Sequence, residues 1–93
     1  MKKRKKKRQL IFDQEGIKAF AIQLKKLRNE AGITQSQLAF EAGISLSQIA
    51  RIETARINPT LSTVFAMARV LNIPLPTIFD FTLPENKKTE KKF

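Results

Sequence analysis

The chain has 93 residues and a net charge of +10, with 42% hydrophobic residues, which is enough for one small core and a single domain. It contains no cysteine, histidine, tyrosine or tryptophan. That excludes disulfides, thiolate or imidazole metal sites, and catalysis by Ser-His or Cys-His pairs. No nucleophile–base pair or carboxylate cluster can be assembled, so an enzyme is disfavoured and no cofactor is expected.

The charge is unevenly placed. Residues 1–8 carry seven cations (Lys2, Lys3, Arg4, Lys5, Lys6, Lys7 and Arg8), residues 85–93 a further +2, and residues 9–84 only +1. A block of like charge resists folding by itself. Residues 1–8 therefore read as a solvated tail or as an arm that displaces counterions from phosphates, with a membrane-contacting tail or a nuclear address as a lesser alternative. The run Leu10-Ile11-Phe12 falls short of the about 7–15 apolar residues of a signal core and the about 20 of a spanning helix. The expectation is a cytoplasmic, nucleoid-associated protein with no membrane partner. Leu10, Ile11 and Phe12 have two destinations open to them, the body or a partner chain.

The first helix is expected over Gly16 to Glu30, with Ile17, Phe20, Leu24, Leu27 and Ala31 on one face and Gly32 as its left-handed stop. Thr34 and Gln37 form a capping-box pattern that starts a second, two-turn helix, in which Leu38, Ala39 and Ala42 face inward. Gly43 ends it. Phe40 lies away from that inward face. Ser45 and Gln48 repeat the pattern for a third helix, with Ile49 and Ile52 inward, anchored by Ile44. Pro59 biases Asn58 away from helix. Thr60 or Ser62 then caps a fourth helix with Leu61, Val64, Phe65, Ala68 and Leu71 on one face, closed by Asn72 and Pro74. A short fifth helix begins at Pro76 or Thr77. The tail turns polar again from Leu83. No stretch alternates with the period of a strand. The expected organisation is a basic arm (1–15), a folded domain (16–82) and a polar basic tail (83–93).

The second and third helices meet through Ala42-Gly43-Ile44-Ser45. A glycine in so short a connection lets two helices pack steeply, the helix-turn-helix arrangement. With Ile49 and Ile52 inward, Ser47, Arg51 and Thr54 point outward, Gln48 lies on the flank, and Leu46 sits at the exposed tip. A polar outer face near a helix N-terminus suits base-edge reading in a major groove. Arg51 can donate two hydrogen bonds to a guanine. The competing reading is an ordinary solvated face.

Leu27-Arg28, Gly32-Ile33-Thr34-Gln35, Leu38-Ala39, Ala42-Gly43-Ile44-Ser45, Ile49, Arg51-Ile52-Glu53, Asn58-Pro59-Thr60-Leu61 and the ending Leu71-Asn72-Ile73 to Ile78-Phe79 occur in an ordered set. Through them residues 24–79 resemble the Cro/CI-type (Xre-like) helix-turn-helix family of phage repressors and small bacterial regulators. The resemblance implies an all-α, five-helix, repressor-like domain that binds double-stranded operator DNA as a homodimer. It implies base contacts from Leu46, Ser47, Gln48 and Arg51, and phosphate contacts from Gln35, Arg56, Asn58 and Thr60. Lys25 and Lys26 are weaker phosphate candidates. It also implies an internal ion pair between Arg28 and Glu53. Three features depart from the family: Leu46 replaces a frequent polar base reader, Ala55 replaces a frequent glycine and so alters the turn after the third helix, and the N-terminal arm is longer and more basic.

Leu75, Ile78, Phe79 and Phe81, with Leu83, make the last segment more apolar than a monomer needs; the preferred reading is a two-fold interface, and the competing one is a second layer of core contacts. Two further readings stand beside DNA regulation. One is a protein-interaction module, such as an antitoxin or adaptor, with a protein partner. The other is RNA binding through the tails, for which only phenylalanines are available to stack.

Overall fold

The computed structural model describes residues 11–85. The basic block 1–8, Leu10 and residues 86–93 lie outside the described residues. Five helices follow in chain order: α1 (Gln14–Glu30), α2 (Gln35–Ala42), α3 (Leu46–Glu53), α4 (Leu61–Leu71) and α5 (Leu75–Ile78). No strand occurs among the described residues.

Local chemistry explains each helix start. The Asp13 carboxylate accepts from the Gly16 N–H at 2.9 Å, so α1 begins at Gln14, two residues before the position that periodicity indicates. Thr34, Ser45 and Thr60 accept from the N–H groups of Gln37, Gln48 and Thr63 at 3.0, 3.0 and 3.2 Å. The capping box of α2 is only half made: the Gln37 amide donates forward to Glu41 at 3.0 Å instead of returning to Thr34. Gly43 ends α2 at φ +76°, a conformation that a side chain would strain. Ala55 takes φ +60° after α3, the left-handed shape a glycine would adopt more cheaply. Hydrogen bonds from Ala55 N–H to Ile52 C=O (3.1 Å) and from Arg56 N–H to Arg51 C=O (2.8 Å) hold that turn.

The core forms where α2 meets α3 and α4, and where α1 meets α3 and α5. Leu24, Leu38, Ile49, Ile52, Met67 and Ile78 are sealed within it. Four expectations change here. On α4 the buried stripe is Thr63, Val64, Met67, Ala68 and Leu71, whereas Leu61 is exposed and Phe65 sits at the margin. The core thus takes one edge of the apolar arc, with Thr63 and Met67, and leaves the other in solvent. The fifth helix begins at Leu75, with Phe79 as its C-cap. Ile78 has no exposed surface, so it belongs to the core and cannot serve as an interface contact. Leu83, at the start of the expected tail, lies over Gly16, its Cδ1 3.2 Å from where a Cβ would stand on that glycine.

Because α2 and α3 are eight residues each, they hold their shape only through this packing. Ile52→Ala is expected to cost about 2–5 kcal/mol, read as a lower denaturant midpoint. Unchanged stability would mean that the α3 underside is not packed.

Candidate nucleic-acid interface

The apolar side of α3 is consumed by the core, which leaves its other side outward. Ser47 and Arg51 are exposed there, Leu46 is 48% exposed at the tip, and Gln48 is half-buried on the flank. Thr54 is exposed too, but its hydroxyl donates back to the Ala50 carbonyl at 2.9 Å and so is committed to the helix. Gln35 occupies the first residue of α2. It lines, with Thr34, Ser36 and Leu46, one shallow hollow of about 480 Å³. The N-termini of α2 and α3 thus open on the same surface. Arg56, Asn58 and Thr60 follow on the exposed connection to α4. The Thr60 hydroxyl is already engaged, since it caps α4 and donates to Thr63 Oγ1 at 3.1 Å.

Under this surface lies a charged network. Arg28 Nε and Nη2 donate to the two oxygens of Glu53 at 2.6 and 3.0 Å, and Nη1 donates to the Ile33 carbonyl at 2.9 Å. Gln35 Nε2 donates to Glu53 Oε1 at 2.9 Å. One carboxylate therefore ties α1, the start of α2 and the end of α3 together. Burial alone would raise the Glu53 pKa. The hydrogen bonds from Arg28 and Gln35, with the positive charges of Arg28 and Lys25, outweigh burial and hold it below the usual carboxylate range. The hydrogen bond to Glu53 raises the Arg28 pKa further, against the effect of burial.

Two contacts here have no local sequence signal: the Gln35–Glu53 bond and a bond from Gln14 Nε2 to the Ala55 carbonyl at 3.1 Å. Both join residues distant in the chain. Lys26 pairs loosely with Glu30 at 3.7 Å on an exposed helix face. Among the described residues no cluster of three metal-ligating side chains occurs, and no helix is long and apolar enough to cross a membrane.

On the far side, Leu75 and Phe79 are partly exposed, at 41% and 45%, and Phe81 is half-buried. The Phe79 ring leans on Phe20 at a centroid distance of 5.7 Å. Leu75, Phe65 and Arg69 border a groove of about 610 Å³ between α4 and α5. On α2, Phe40 stands 86% exposed.

Arg28→Met would leave Glu53 buried without its partner, at an expected cost of about 3–5 kcal/mol. Because the Glu53 pKa is depressed in the folded chain, its contribution is complete above the unfolded value of about 4.3 and is lost as pH falls through the lower folded value. Denaturation series in acid should show this loss in the parent chain and a flatter profile in Glu53→Gln. Parallel profiles would contradict the coupling.

Residues 24–78 match the HTH_3 family, described as Helix-turn-helix. The chain is 46% identical over 55 residues to the immunity repressor protein of Bacillus phage phi105, a match covering 59% of this chain and 38% of that protein. It is 37% identical over 54 residues to the HTH-type transcriptional regulator SutR of Escherichia coli K12, covering 58% of this chain and 30% of that one. The matched region thus spans well under half the length of these two relatives. Among solved structures, the restriction-modification controller protein C.AhdI from Aeromonas hydrophila superposes with a TM-score of 0.66 at 28% identity, covering 68% of this chain and 96% of that one. With more than half of its length matched in register, the chain belongs to the HTH_3 helix-turn-helix family.

Proposed function

We propose that this protein is a small transcriptional regulator that binds double-stranded DNA sequence-specifically through α3, as a homodimer on an inverted repeat. The observation that carries the reading is the division of α3 into two faces. Ile49 and Ile52 are wholly buried, while Leu46, Ser47 and Arg51 are exposed above them. Family membership and the names of the relatives, a repressor and transcriptional regulators, point the same way.

In this reading α3 enters the major groove with its N-terminal end leading. Arg51 donates to guanine O6 and N7, Ser47 and Gln48 supply polar contacts, and Leu46 meets a thymine methyl. Gln35, Arg56, Asn58 and the backbone around Thr60 fix the register against phosphates. Gln35 brings to that task a carboxamide already oriented by Glu53. The role is non-catalytic and needs no cofactor, and its site of action is chromosomal DNA. Leu75, Phe79 and Phe81 lie at the two-fold contact, setting two α3 helices about 34–36 Å apart, one turn of DNA.

One observation favours a second reading, a protein-interaction module of the antitoxin or adaptor kind. Phe40 presents a nearly fully exposed ring on α2, outside the surface assigned to DNA. The two readings differ in what the chain selects from random duplexes. DNA regulation predicts an inverted repeat; no enrichment would favour the protein partner.

Arg51→Ala is expected to lose about 1–3 kcal/mol of discrimination at one base pair per half-site, measured by gel-shift titration on the selected site and its single-base variants. Equal weakening on every sequence would remove its base-reading role. For the two-fold contact, Leu75→Glu is the cleaner probe, because Phe79 also packs inside the protomer. Sedimentation should show its mass falling from dimer to monomer at a concentration where the parent chain is dimeric; an unchanged mass would remove this interface.

A further inference from the structure

Beyond the side chains assigned to DNA, one residue of α1 controls the turn that follows α3. Gln14 Nε2 donates to the Ala55 carbonyl at 3.1 Å, across 41 positions of the chain. The Ala55 carbonyl and the Arg56 N–H belong to one planar peptide unit. That N–H donates to the Arg51 carbonyl at 2.8 Å. The unit is therefore held at two edges, by α3 through its N–H and by α1 through its carbonyl. A single bond would leave the plane free to swivel about the line of that bond, and the second removes this freedom.

The backbone here needs such a hold. Ala55 is buried and sits at φ +60°. That is a small allowed well which an alanine occupies against its intrinsic preference. Further on, Ile57 packs against the core, and Pro59 restricts the backbone of Asn58. Arg56 thus leaves the surface between two fixed points, the peptide it shares with Ala55 and the Ile57 side chain. Gln14 is itself set by its helix. Asp13 accepts the Gly16 N–H on its carboxylate and the Ile17 N–H on its carbonyl, both at 2.9 Å, which fixes the first turn of α1. Asp13 and Gly16 also line one groove with Asn58 and Pro59, so the start of α1 runs beside the far end of the same turn.

Resting on the DNA-binding reading above, we propose that Gln14 is a positioning residue for the phosphate contacts of Arg56 and Asn58. It acts through the backbone of the turn and not through a contact of its own with the duplex. By pinning the peptide between Ala55 and Arg56, it presents both side chains in their binding arrangement before DNA arrives. Its contribution is affinity through preorganisation, and base choice stays with α3.

The test uses Gln14→Met in the full chain. Methionine matches glutamine in length and helix propensity, keeps the net charge and lacks the donor. Gln14 is exposed and in the first turn, so the variant is expected to fold. In the protein free of DNA, amide hydrogen exchange at Arg56 should speed up by about threefold or more, while the Ile49 and Ile52 amides keep their protection. Unchanged exchange at Arg56 would overturn the hold. Faster exchange along the whole of α3 would make Gln14 a general support of the fold and overturn its specific role.

On DNA, a turn that spends about a tenth to a third of its time in the competent arrangement weakens binding by about 3- to 10-fold. Gln14→Met should show this loss alike on the selected site and on its single-base variants, with the log–log salt slope kept. Arg56→Gln removes a phosphate contact outright and should make the slope shallower by about 0.9. The deciding measurement is a cycle. In a chain already carrying Arg56→Gln and Asn58→Ala, adding Gln14→Met should weaken binding by less than about twofold. The full loss persisting in that background would show that Gln14 acts elsewhere and would overturn the proposal while leaving α3 recognition standing. A parent chain that binds no duplex would overturn the DNA reading, and the positioning role with it, whatever Arg56 exchange shows.

Discussion

The outer face of α3 is defined by what holds its inner face. Ile49 and Ile52 have no exposed surface, and Leu38 from α2 is equally sealed. An eight-residue helix gains little from its own hydrogen bonds, so its existence and its tilt both come from this contact. With the isoleucines committed, rotation about the helix axis is no longer free. Ser47 and Arg51 must then face solvent. The same packing aligns the first turn of α2 beside the first turn of α3, so Gln35 and Leu46 share a single hollow.

Glu53 adds a directional restraint to that packing. A buried ion pair contributes little net stability compared with a well-packed apolar pair, but it accepts only a narrow geometry. Here one carboxylate receives Arg28 through two nitrogens and Gln35 through a third donor. The end of α3 is thereby referenced to α1 and to the start of α2 together. A surface that reads bases needs its donors positioned before the duplex arrives, and loss of freedom in the unbound chain lowers what binding must supply. Gln35 shows this economy in a single residue: one donor anchors it to Glu53 while the residue stays at the surface.

Much of this architecture was legible in the sequence, for physical reasons that differ between elements. Thr34 and Ser45 mark their helix starts because capping is a contact across three residues, whereas the sequence leaves Thr60 and Ser62 open for α4 and the structure uses Thr60. Gly43 and Asn72 declared ends because left-handed backbone is chemically selective. The inward isoleucines of α3 followed from helical periodicity. What periodicity lacks is knowledge of the neighbouring element. It draws an apolar arc on α4 without telling that Met67 is buried and Leu61 is not. It grouped Ile78 with Leu75 and Phe79, although a four-residue helix turns Ile78 inward and leaves the others at the margin. Asp13 carries no capping-box pattern, because Gly16 and not a Glu or Gln stands three residues after it. The bond from Gln14 to Ala55 spans 41 residues and has no local trace at all.

The central claim is that the exposed face of α3 is the surface that meets a duplex. Nuclear magnetic resonance tests it most directly: a duplex carrying the selected site is titrated into isotope-labelled protein, and backbone amide shifts are followed residue by residue. The account predicts the largest changes at Leu46, Ser47, Gln48 and Arg51, with Gln35 and Arg56 at the margins and Phe40 unaffected. Changes centred on Phe40 or on α5 while the α3 amides stay still would contradict it.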